Sequence, residues 1–155
     1  MESNITKYQK DLNALIIRGQ NLYYGLYNEF SKEYKAQISK LDKEIQEKIC
    51  KSSFKNHYNS WYNESLSLIR QLMPERLEDF VAYYKQPKRK TLTYATYTIS
   101  DYLVNLMAYD GWGKELFKSS TIIYKYEQQF QILKSLETRF NSSLYDIKQL
   151  LQADL

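Results

Sequence analysis

The chain has 155 residues, 43% of them apolar and 26% charged, with a formal net charge of +4. That length suits one domain, the apolar share excludes a disordered chain, and the modest charge lacks the strong basic footprint of a general nucleic-acid binder. A single cysteine, Cys50, excludes an intrachain disulfide, and no window approaches the ~18 apolar residues of a membrane-spanning helix.

The helix breakers are few: Gly19, Gly25, Gly111, Gly113, Pro74 and Pro87. Residues 26–73 and 114–155 contain neither type, and both runs carry apolar residues at helical spacing. The predicted fold is all-α: a helical bundle whose long N- and C-terminal helices pack antiparallel, with shorter helices between.

Ser3 or Asn4 can cap the first helix. Ile5, Tyr8, Leu12, Leu15, Gly19, Leu22 and Leu26 alternate three and four apart, the heptad seam of a coiled coil. Ile16, Ile17, Tyr23, Tyr24 and Tyr27 widen the apolar face. Gly19 lies on the seam, where a missing side chain lets another helix approach. Gly19→Ala is expected to be near neutral, because gained helix propensity offsets crowding. The apolar rhythm continues through Phe30, Tyr34, Ile38, Leu41, Ile45 and Ile49. The preferred reading is one long or gently kinked helix over 5–49, about 67 Å if straight. A break at 31–35 or at Ser39, with Ser39 and Asp42 as a weak cap, is the alternative. Cys50 falls on an apolar position and is expected to be buried.

Lys51-Ser52-Ser53 reads as a turn. A helix is predicted over 54–72, with Phe54, Tyr58, Trp61, Tyr62, Leu66, Ile69 and Leu72 inward. Pro74 stops it or opens the next, which runs over 75–84 with Leu77, Phe80, Val81 and Tyr84 inward. Residues 85–98 form a loop whose Thr- and Tyr-rich half suits an extended piece. Thr98 and Asp101 form a capping box for a helix over 99–108. Tyr109-Asp110-Gly111-Trp112-Gly113 is a turn. The last helix begins at Lys114 or Ser119 and runs to Leu155. Its buried face is Ile123, Tyr126, Phe130, Leu133, Leu136, Phe140, Leu144, Ile147 and Leu151. With no closing Gly or Asn after them, residues 1–155 read as the N-terminal helical domain of a longer protein.

Little in this pattern carries catalysis. One His and one Cys do not make the usual metal shell, and Glu-x-x-His pairs are absent, so no metal and no cofactor is expected. Cys50 and His57 are near in sequence, but His57 opens an aromatic run, where a surface or packing role is the ordinary one. No phosphate loop, dinucleotide fingerprint or nucleophile elbow occurs. The charge excess sits in 51–92, which holds 8 basic and 4 acidic groups. Its focus is Lys85, Lys88, Arg89 and Lys90, flanked by Tyr83, Tyr84 and Tyr94. Cations bind phosphates and rings stack on bases, so this loop suits nucleic acid. The same composition also suits a solvated loop. The 16 tyrosines fit either a half-wet binding surface or a low-GC genome, which favours Tyr with Lys, Asn and Ile.

Two stretches, Tyr58-Asn-Ser-Trp61-Tyr-Asn-Glu-Ser-Leu66-Ser-Leu-Ile-Arg70-Gln-Leu-Met-Pro74-Glu-Arg-Leu-Glu-Asp-Phe80 with Lys88-Arg-Lys90 and Tyr97-Thr-Ile-Ser-Asp-Tyr-Leu103, and Phe140-Asn-Ser-Ser-Leu144-Tyr-Asp-Ile-Lys-Gln-Leu-Leu-Gln-Ala-Asp-Leu155, together resemble a group of uncharacterised bacterial proteins often encoded near mobile or defence genes. The resemblance covers most of 55–155. It implies that longer relatives continue past the position of Leu155 into a second helical domain similar to HEPN-type domains. The Arg-x4–6-His signature of active HEPN ribonucleases is absent here, and no catalytic residue carries over.

The sequence thus predicts a non-catalytic helical interaction or oligomerisation module of a bacterial defence or mobile-element protein. Its partner is a second copy of itself or another protein, with Gly19, Tyr23, Tyr27, Leu144, Ile147 and Leu151 at the interface. The alternative is a nucleic-acid-binding helical domain using 85–90. With a polar Met1-to-Asp11 segment and no spanning helix, the cytoplasm is the expected location and no membrane partner is expected.

Overall fold

The computed structural model describes the backbone of residues 4–140 and the side chains of 6–140. The protein is all-α. In chain order the helices are α1 (Asn4–Glu29), α2 (Lys35–Ser39), α3 (Lys43–Lys51), α4 (Tyr58–Leu72), α5 (Leu77–Tyr84), α6 (Ile99–Leu103) and α7 (Ile122–Phe140). Short 3₁₀ turns at Pro74–Arg76 and Ser119–Thr121 lead into α5 and α7. No helix among the described residues is long and apolar enough to cross a membrane.

The long terminal helices pack antiparallel. Leu12 and Phe140 line one cleft, Gly19 meets Phe130, and the rings of Tyr23 and Tyr126 lie 6.5 Å apart. The α1 seam is filled by its own chain, because Leu12, Leu15, Leu22 and Leu26 are all buried in the core. Ile17, expected to widen that face, points outward at 65% exposure.

Two glycines permit the close approach. A Cβ on Gly19 would lie 2.7 Å from the Phe130 ring and 3.0 Å from Trp61 Nε1. One on Gly25 would meet the Ser53–Phe54 backbone at 2.7 Å. The contacts at Gly19 are tighter than the near-neutral expectation supposed, so Gly19→Ala is now expected to be destabilising.

The core is aromatic, and several of its polar tips are matched. Trp61 Nε1 donates to the Leu15 carbonyl at 3.0 Å, and the Tyr126 hydroxyl donates to the Gly19 carbonyl at 2.6 Å. The Tyr58 hydroxyl donates to Gln129 Oε1 at 2.7 Å, and Gln129 Nε2 donates to the Phe80 carbonyl at 2.8 Å. Each bond removes a desolvation cost of about 1–3 kcal/mol that an orphaned polar atom would carry. Among the described residues Tyr58, Tyr62, Tyr97, Tyr102 and Tyr126 are buried in this core.

The preferred 5–49 helix is not formed. α1 ends at Glu29, residues 30–34 turn, and α3 packs back against α1 after the short α2. A straight continuation would leave the Ile38, Leu41, Ile45 and Ile49 stripe uncovered. Folding back brings those side chains to one groove with Tyr23, Tyr24 and Tyr27. Phe30 and Tyr34 fix the turn: Phe30 meets Tyr102 at 5.3 Å and Tyr34 meets Tyr27 at 5.4 Å. The hairpin places Ile49 inward and leaves Cys50 exposed, against expectation.

α4 begins at Tyr58 rather than 54, with Phe54 fully buried in the preceding turn. The Thr98–Asp101 capping box forms as predicted. α6, however, stops at Leu103 instead of 108. Asn105 adopts φ 59° while its N–H bonds the Tyr102 carbonyl and the Leu106 N–H bonds the Asp101 carbonyl. This is the left-handed closure that Asn tolerates. The Thr- and Tyr-rich stretch forms turns rather than a strand. Leu144, Ile147, Leu151 and the predicted course of the last helix beyond Phe140 lie outside the described residues.

Candidate functional site

After α6 the chain makes a small hairpin between two core anchors, Met107 and Phe117. The Phe117 ring lies 4.9 Å from Tyr97, whose hydroxyl donates to the Leu106 carbonyl at 3.0 Å. Leu116 N–H bonds the Ala108 carbonyl at 3.1 Å, and an isolated antiparallel bridge joins Tyr109 to Glu115. At the tip, Asp110 Oδ1 accepts from the N–H groups of Trp112 at 2.8 Å and Lys114 at 2.9 Å. Asp110 N–H donates to the Lys114 carbonyl at 2.8 Å, and Gly113 N–H to the Asp110 carbonyl at 3.1 Å. Gly113 takes φ 80°, a conformation that favours glycine.

This well-tied turn holds Trp112 in solvent at 93% exposure, and Val104, Leu106, Tyr109 and Leu116 in the same stretch of chain are also exposed. An exposed indole on a turn fixed by its own hydrogen bonds has the character of a contact residue, and Trp is among the residues most enriched at binding hot spots.

A groove of about 310 Å³ lies elsewhere on the molecule, between α1 and the α2–α3 return. Tyr23, Tyr27, Ile38, Leu41 and Ile45 form its apolar lining. The Tyr23 and Tyr27 rings meet edge to face at 5.1 Å. Burial first, then the hydrogen bond with Tyr27, raises the Tyr23 phenol far above its ordinary range, so it is neutral at any physiological pH.

The expected site residues separate. Gly19 is buried against Phe130 and Trp61, so its close contact lies within the chain. Tyr23 and Tyr27 are half-buried in the groove. In the 85–90 loop, Lys85, Lys88 and Lys90 are exposed. Arg89 instead forms a bidentate pair with Asp101, one arm at 2.5 Å, and also donates to the Thr96 carbonyl at 2.9 Å. Burial alone would raise the Asp101 carboxyl, but hydrogen bonds from Arg89 and Thr98 outweigh it and hold the group below its ordinary 3.8. Arg89 thus ties the loop to the α6 cap. Among the described residues no three His, Cys, Asp or Glu side chains converge as a metal site requires.

No family model, curated protein or solved structure matches the chain.

The turn at 109–113 was legible in sequence. Its exposed Trp was not, because spacing does not say which way a loop side chain points. The groove needed the unforeseen α1–α3 return.

Proposed function

We propose that this chain is a non-catalytic helical module that self-associates, with Trp112 of one copy entering the Tyr23–Tyr27–Ile38–Leu41–Ile45 groove of another. The observation that carries this reading is the 93% exposure of Trp112 on a turn fixed by its own hydrogen bonds. The groove supports it, since one chain offers both an apolar knob and an apolar recess. Two such contacts related by a two-fold axis close a dimer. The bacterial defence or mobile-element setting is part of this proposal and rests on the resemblance of 58–103 and 140–155.

Sedimentation velocity tests it. The wild type is expected to dimerise, whereas Trp112→Ser and Leu41→Asp, one on each side of the contact, both give monomers of unchanged helicity. A wild type that stays monomeric at high concentration contradicts the proposal.

Nucleic-acid binding through Lys85, Lys88 and Lys90 is the weaker reading, because Arg89 is already engaged by Asp101.

A further inference from the structure

A second recess, of about 440 Å³, opens between α1, the last turn of α3 and the start of α4. That volume falls within the usual range of small-molecule sites, about 300–1,000 Å³. Three cationic side chains line it: Arg18 from α1, and Lys48 and Lys51 from α3. The spacing of three puts both lysines on one face of α3. His57, the N-cap residue of α4, adds an imidazole. No carboxylate lines the recess. Ser53, Ser60 and Asn21 contribute neutral donors.

The cations differ in how they are held. Arg18 donates to Ser60 Oγ at 2.7 Å and pairs with Glu64 on the outer side, so it is a fixed wall bridging α1 to α4. Lys48 and Lys51 have no ion-pair partner among the described residues. Lysines in a last helical turn commonly answer the helix dipole alone. Here the return of α3 onto α1 gathers them with Arg18 and His57 around a shared concavity. Cations facing one recess repel each other, and a multivalent anion there relieves that repulsion while forming charge-assisted hydrogen bonds.

We propose that this recess binds a small phosphate-bearing anion of diphosphate size, with Lys48 and Lys51 as the principal ligands and Arg18, Ser60 and His57 as its walls. The site is independent of the Trp112 hairpin and of self-association.

His57 is the chain's sole histidine, so its ring protons give one resolved NMR signal at the mouth of the site. Pyrophosphate is titrated at constant ionic strength, with sodium chloride as the matched control. The expected result is a saturable His57 shift with pyrophosphate and none with chloride. In Lys48→Gln/Lys51→Gln, affinity falls about tenfold or more while the thermal melt stays unchanged. Absence of a saturable shift up to about 10 mM, well beyond a dissociation constant of ~1 mM, overturns the proposal. So does equal binding by the double variant. A short single-stranded RNA that shifts His57 more tightly than pyrophosphate does would assign the recess to nucleic acid and overturn the small-ligand assignment.

Discussion

The two tryptophans of this chain occupy opposite environments. Trp61 is fully buried where α1, α4 and α7 meet, 5.1 Å from the Tyr126 ring, with its indole N–H on the Leu15 carbonyl. Trp112 stands 93% exposed on a hairpin whose backbone is tied by its own hydrogen bonds. Burial and a matched polar tip make Trp61 a stability residue. Exposure on a fixed turn contributes nothing to folding and leaves Trp112 free for contact. Both side chains stand on hydrogen-bonded backbone, and what separates them is where the apolar surface finds its cover.

Truncation of each ring gives the largest contrast. Trp61→Ala is expected to cost about 3–5 kcal/mol, lowering Tm on the order of 10 °C. For Trp112→Ser, in dilute solution where the chain is monomeric, the change should stay within about 0.5 kcal/mol. Calorimetry checks both, and comparable losses would erase the distinction.

The glycine contacts come next. Gly25→Ala is expected to lose about 1–3 kcal/mol, because the added methyl meets the backbone of Ser53 and Phe54. Gly19→Ala should lose less, since the Phe130 ring can tilt whereas a backbone cannot. Urea midpoints order the pair, and a more stable Gly25→Ala would mean that the α1–α3 return is looser than described.

How much of this was legible depends on what ended each element. The α1 seam and the Thr98–Asp101 box are local patterns, and the structure reproduces them. Breaks at 31–35 and at Ser39 were legible as the alternative to one long helix, and both occur, but with no Gly or Pro to mark them the folding back of α3 onto α1 was not. Phe30 and Tyr34 end α1 by docking onto Tyr102 and Tyr27, a tertiary event that no helical spacing encodes. Asn105 did carry a stop signal, but the apolar Leu106 and Met107 continued the rhythm and masked it. The recess was invisible for a simpler reason: Arg18 is thirty residues from Lys48 and meets it only after that return.

A smaller effect concerns acid. The folded Asp101 carboxyl sits below its unfolded value, so its stabilisation is fully present above about pH 4 and disappears as pH falls through the folded value. Glu75, lowered mainly by its hydrogen bond from Arg139 and mostly exposed, acts in the same direction but more weakly. Asp101→Asn is therefore expected to lose more stability relative to wild type at pH 7 than at about pH 3. Paired urea titrations check it; an equal loss at both values would mean that the Arg89 tie is not electrostatic.

A small change in stability should accompany Asp110→Ala, which removes two hydrogen bonds from an exposed tip and costs about 0.5–1.5 kcal/mol. It should nevertheless weaken self-association, because the ring loses its fixed presentation.

Sedimentation velocity of the wild type and Trp112→Ser across a wide concentration range bears most directly on the contrast between the two tryptophans. A wild-type dimer that becomes a monomer of the same helicity on losing the Trp112 ring, with the two melting alike in dilute solution, is the expected result. A wild type that stays monomeric throughout, or a Trp112→Ser dimer of undiminished affinity, would contradict it.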